Sequence, residues 1–89
     1  MLISNLANNQ IVVTEPNGSR HFKSYNTNVA SVENGQMFIN KNYWNNGQTA
    51  TTNKYLGVFL GIGTQKVKVY INSAIESGLI TLTETIKRF

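Results

Sequence analysis

TQKVKVYINSAIESG, residues 64 to 78, can be read with either of two periods, and the fold class turns on which one holds. Val67, Val69 and Ile71 alternate as in a strand, whereas Val67, Ile71, Ala74 and Ile75 recur as on one face of a helix. The segment is long for a strand, Thr64 stands where a cap would, and Gly78 follows just past the end, so the helical period is preferred. Just upstream, Thr52 offers a second cap, and Tyr55, Leu56, Phe59 and Leu60 share one helical face.

Everything before residue 42 carries strand signals. QIVVT (10–14) runs into EPNGS, where Pro16 and Asn17-Gly18 suit a hairpin turn, and RHFKSYN (20–26) returns. On that return strand Arg20, Phe22 and Ser24 face one way and His21, Lys23 and Tyr25 the other. Asn26-Thr27-Asn28 breaks the pattern. NVASVE, Asn34-Gly35 and QMFINK form a second hairpin, with Met37 and Ile39 opposed to Phe38. NYWNNGQTATTN (42–53) reads as a loop, and LITLTETI (79–86) as a last strand, followed by a fraying KRF tail. The sum is a single α+β domain over residues 1–89, in which an antiparallel sheet of two hairpins plus a C-terminal strand packs against two short helices.

With 89 residues and no cysteine, neither disulfides nor thiolate metal sites can supplement the core. A domain of this size buries only about 60% of its unfolded surface, so packing or oligomerisation must supply its stability. The first residues show no basic segment followed by an apolar run, and YLGVFLGIG falls short of the roughly 18 residues of a membrane span. A cytoplasmic protein without membrane association is expected, and Asn17-Gly18-Ser19 reads as a turn and not a glycan site. Eight Lys and Arg against four Glu and no Asp give a net charge of +4, which suits an acidic partner, nucleic acid, or plain solubility.

GVFLGIGTQK (57–66) invites comparison with phosphate-binding loops, and the register fails. Five positions after Gly57 stands Ile62, and Gly61 is followed by Ile in place of Lys. Gly61 and Gly63 fail the dinucleotide fingerprint at Lys66. The glycines read instead as a helix stop and chain reversal, with Gly57 permitting close packing or a bend. His21 and the glutamates Glu15, Glu33, Glu76 and Glu84 show no spacing that brings two together, so no catalytic residue, metal site or cofactor is assigned and the chain is not expected to be an enzyme.

What remains is binding. Tyr43 and Trp44, in a polar segment, would anchor a protein partner if exposed, although Trp44 can equally fold inward as the lid of a small core. Arg20, Lys23, Lys66 and Lys68 would steer that contact. Interleaved cations and rings at Arg20, His21, Phe22, Lys23 and Tyr25, with Lys66, Lys68 and Lys54 as a basic edge, also allow sequence-independent nucleic-acid binding. Exposed strand edges allow a homodimer.

SYNTNVA (24–30), the Tyr43-Trp44 pair, TTNKYLGVFLG (51–61) and ESGLITLT (76–83), in this order, resemble a family of small phage-encoded proteins catalogued as a domain of unknown function, across roughly residues 22 to 85. After Phe59-Leu60-Gly61 the family has a more acidic segment than the IGTQKVKVY found here. The resemblance implies a phage or prophage origin, with no catalytic residue to carry over. It points to an accessory protein of the host cytoplasm that occupies and blocks a host protein, as an anti-defence inhibitor of the anti-CRISPR kind would.

Overall fold

The computed structural model describes residues 1–84 and 86. Six strands form one sheet in sequence order: β1 (Leu2–Ala7), β2 (Gln10–Thr14), β3 (Arg20–Ser24), β4 (Thr27–Glu33), β5 (Gln36–Asn40) and β6 (Ile80–Thr83). Between β5 and β6 the chain forms three helices, α1 (Lys41–Asn46), α2 (Ala50–Leu60) and α3 (Val67–Ser77). The architecture is α+β, as the strand-then-helix order implies.

The first five strands are a continuous antiparallel meander. Two hairpins were expected, and both are present, the second closed by Asn34 and Gly35 at φ 52° and 78°, the pair of positive dihedrals that a tight turn between twisted strands needs. The Asn26-Thr27-Asn28 interruption is not a break between them: Ser24 pairs with Thr27, and the chain turns on Tyr25 at φ 53° and Asn26. A bulky residue in the left-handed region is what hid this turn. The turn places Tyr25 at the surface while Phe22 enters the core. Leu2–Ala7, where the sequence shows no strand signal, joins β2 through Asn8 and Asn9, the latter at φ 62°, and forms the outer edge.

The sheet is antiparallel as expected save at one pairing: β6 lies parallel to β5. Parallel neighbours need a long crossover, and residues 41–79 supply it as helices. The expected loop at 42–53 therefore contains α1, and α2 starts earlier than expected. Thr49, not Thr52, caps α2, its side chain accepting from the Thr52 N–H at 3.2 Å. Thr52 is buried, its hydroxyl 2.8 Å from that of Ser24. α3 has no side-chain cap; Lys66, in the left-handed region, replaces the expected Thr64 at that position. Both helices stop as expected on left-handed glycines, Gly61 and Gly78. Of the expected final strand, Thr85 lies outside the described residues, as does the tail at 87–89.

Register puts Val12, Phe22, Ala30, Ile39 and Leu82 in one row across the sheet, on the face the helices cover. Tyr43, Trp44, Leu56, Phe59, Val67, Ile71 and Ala74 close over it. The neighbouring row, Val13, His21, Ser31, Phe38 and Thr81, therefore points to the opposite face.

Gly57 lets the turn after α2 fold back on the helix. A Cβ at this position would collide with the Gly63 carbonyl oxygen and come within 2.8 Å of Val67 Cγ2. Gly57→Ala should therefore lose about 1–3 kcal/mol in urea unfolding despite alanine's better helix propensity. Equal or greater stability would show that the turn yields.

Candidate functional site

The two aromatic anchors of the sequence reading are core residues. Tyr43 is 5% exposed and Trp44 6%. On a helix of six residues, capped by Asn40 Oδ1 accepting from the Tyr43 N–H at 3.1 Å, both adjacent rings turn toward the sheet. A chain of polar contacts then ties the helices together. The Tyr43 hydroxyl donates to Asn53 Oδ1 at 2.6 Å, Asn53 Nδ2 donates to Gln48 Oε1 at 2.9 Å, and Gln48 Nε2 donates to the Trp44 carbonyl at 2.6 Å. Trp44 Nε1 donates to Asn72 Oδ1 at 3.1 Å, reaching α3. Of the two placements open for Trp44, the inward one holds, because the indole N–H finds an acceptor inside.

Burial pushes the Tyr43 hydroxyl above its ordinary value of 10.0. The unfolded chain then loses this proton before the folded one does, so the contribution is intact below about pH 10 and is lost as pH rises further. Tm should fall above that pH, and Tyr43→Phe should flatten this part of the profile, while costing about 1–2 kcal/mol at pH 7 because Asn53 loses its donor. An unchanged alkaline slope would place the titration elsewhere. Trp44 is the single tryptophan, so its emission should be blue-shifted in the native protein and shift to the red on unfolding.

The four expected cations do not meet. Arg20 lies on the helix-covered side, its guanidinium 4.9 Å from the Phe59 ring centroid and Nη2 donating to the Phe59 carbonyl at 2.9 Å, near the C-terminal end of α2. That is a clamp between β3 and α2, of the kind a helix C-terminus favours. Lys23 extends from the opposite face of the sheet.

Lys66 and Lys68 do belong together, and structure adds others to them. One hollow is lined in part by Lys54, Thr64, Lys66, Lys68 and Val69, and a second by Ile62, Gln65, Lys66, Val69, Tyr70 and Ser73. Lys66 and Val69 are common to both, so the hollows adjoin. Val69 is 68% exposed and Tyr70 46%. No acidic residue lines either hollow. Lys66 holds φ 57°, a conformation costing a non-glycine residue about 1 kcal/mol, and thereby starts α3. The junction of α2 and α3 thus presents three ammonium groups around an apolar patch. The strand-like reading of Val67-x-Val69-x-Ile71 contained part of this signal: on a helix Val67 and Ile71 go inward, which leaves Val69 outside.

A second cluster escaped sequence reasoning. Glu15 follows β2, His21 is the second residue of β3, and Glu33 ends β4. Because Val13, His21 and Ser31 share a row, residues two beyond Val13 and Ser31 come to the same corner of the face opposite the helices. His21 Nε2 lies 2.7 Å from Glu15 Oε2, and one ligand atom from each of the three residues lies within 4.8 Å of the others. His21 is 3% exposed. The glutamates are scattered along the sequence, and three strands in register unite two of them with the histidine. Hairpin loop lengths were the available signal, obscured by the misread turn at Tyr25.

Among the described residues, no helix is long and apolar enough to cross a membrane. Residues 3–75 match the sequence model of a family described as a family of unknown function, DUF8033. No curated protein and no solved structure matches the chain.

Proposed function

The chain belongs to the DUF8033 family, and as that family has no assigned activity, we propose from the surface that this protein is a non-catalytic binding module whose α2–α3 junction docks an acidic surface of another protein. The observation that carries this reading is the gathering of Lys54, Lys66 and Lys68 around exposed Val69 and Tyr70. An apolar centre loses water on contact, while a cationic rim speeds encounter and rejects basic partners. The lysine at the left-handed start of α3 adds to the case: glycine would be less strained there but would supply no charge.

A phage origin fits this mode of action. On a phage-encoded chain the junction would occupy a host protein, for instance a component of a nucleic-acid-handling defence system such as CRISPR interference, and block its use. Nucleic acid is the rival partner. On β3, Phe22 is buried against Phe59 while Tyr25 at its end is exposed, and at the junction Tyr70 lines the second hollow and the Tyr55 ring centroid lies 5.4 Å from Lys54 Nζ.

The test compares capture of host proteins by the wild type and by a Lys66→Gly/Lys68→Glu variant, with and without nuclease and across salt. Lys66→Gly removes a charge at a position that glycine suits. Nuclease-resistant capture of one protein, weakened about tenfold or more in the variant and by Val69→Asp but not by Lys41→Glu, is the expected result. Lys41 lines neither hollow. Capture abolished by nuclease and falling steeply between about 50 and 200 mM salt would transfer the site to nucleic acid. Equal capture by all variants would remove the junction from the interface.

A further inference from the structure

From the opposite face of the sheet we infer that Glu15, His21 and Glu33 form a binding site for a single divalent transition-metal ion, with Zn²⁺ the best fit. The site is independent of the helix junction, since none of the three residues lines either hollow.

Three observations converge. The donor set is mixed: two carboxylates and one imidazole, each offering an atom within 4.8 Å of the other two. Carboxylates alone would suit Ca²⁺ or Mg²⁺, but an imidazole nitrogen turns preference toward borderline ions such as Zn²⁺. Next, the donors are held by the sheet: His21 sits in register between Val13 and Ser31, and the loop from Glu15 to Ser19 is closed by the Glu15 N–H donating to the Ser19 carbonyl at 2.8 Å. On three paired strands the backbone stays in place when an ion enters, and only side chains adjust. Last, His21 is nine-tenths buried and more, with its Nε2 aimed at Glu15. Two carboxylates brought together beside a nearly buried ring repel each other, and a doubly charged cation neutralises both.

The distances are close to what an ion needs. Zinc bonds of about 2.0–2.2 Å in tetrahedral array set neighbouring ligand atoms roughly 3.3 Å apart. The 2.7 Å between His21 Nε2 and Glu15 Oε2 must open by about half an ångström, and Glu33, at the end of β4, swings in. Zn²⁺ then takes the place of the hydrogen bond between His21 Nε2 and Glu15 Oε2, any proton on Nε2 passing to water, and water takes the fourth position.

Titration calorimetry and thermal unfolding of untagged protein with Zn²⁺, and with Mg²⁺ as a control, test the site. One ion per chain should bind, Tm should rise by about 10 °C or more at a hundredfold excess over Kd, and Mg²⁺ should have little effect. Glu15→Gln and Glu33→Gln should each weaken Zn²⁺ binding about tenfold or more while leaving the apo far-UV spectrum unchanged. Glu33 ends its strand and is only half-buried, which makes Glu33→Gln the variant that keeps the fold if another fails. Absence of heat and of a Tm shift at millimolar Zn²⁺ would overturn the proposal and leave a structural His–Glu pair. So would undiminished binding by the Glu15→Gln/Glu33→Gln double variant.

Discussion

Phe22 and Phe59 stack with centroids 5.6 Å apart, and this contact between β3 and α2 is the point on which the two layers are joined. The meander by itself is a sheet with one apolar row, Val12, Phe22, Ala30 and Ile39, that must be covered. A chain of 89 residues has only the crossover between β5 and β6 with which to cover it. Phe59 supplies the ring at the centre of that row, and Arg20, two residues before Phe22 on the same face, grips the same phenylalanine through both its ring and its carbonyl. With α2 held there, Gly57 allows the reversal into α3, which returns the chain alongside β5.

The crossover explains why the polar residues of 42–53 are structural. Three short helices cannot each bury a broad apolar stripe, so buried contact is supplemented by amide side chains: Asn53 satisfies the phenol, Gln48 a backbone carbonyl and Asn72 the indole. Tyr43 and Trp44 suit this role because each has a large apolar body and one polar atom that a neighbouring asparagine can reach. What reads as a polar loop bearing two interface rings is a set of internal ties.

The net charge of +4 conceals a division between faces. Lys54, Lys66 and Lys68 gather at the α2–α3 junction, while two of the four glutamates meet His21 on the far side of the sheet. These two places draw on different physics. The junction is open and apolar at its centre, suited to shape and long-range attraction. The sheet corner is partly buried and brings three donor side chains together, the chemistry the proposed cation would use.

The strand-then-helix order, the Asn34-Gly35 turn, the facing of Phe22, Met37 and Ile39, and the glycine stops at Gly61 and Gly78 were legible from residues alone, because each depends on a local period or on a backbone angle that few residue types adopt. The sequence also contained the pairing of Lys66 with Lys68, as near neighbours on one element. Tertiary structure alone decided the rest. Whether β6 would lie parallel to β5, whether Tyr43 and Trp44 would turn inward, and whether Glu15, His21 and Glu33 would meet all depend on register between segments distant in sequence. Leu2–Ala7 and the turn at Tyr25 show the same limit: an edge strand and a left-handed tyrosine have weak local signals and exist because β2 and β4 are there to pair with. Side-chain direction along a strand is written in the sequence, but which directions converge is settled only when the strands are aligned.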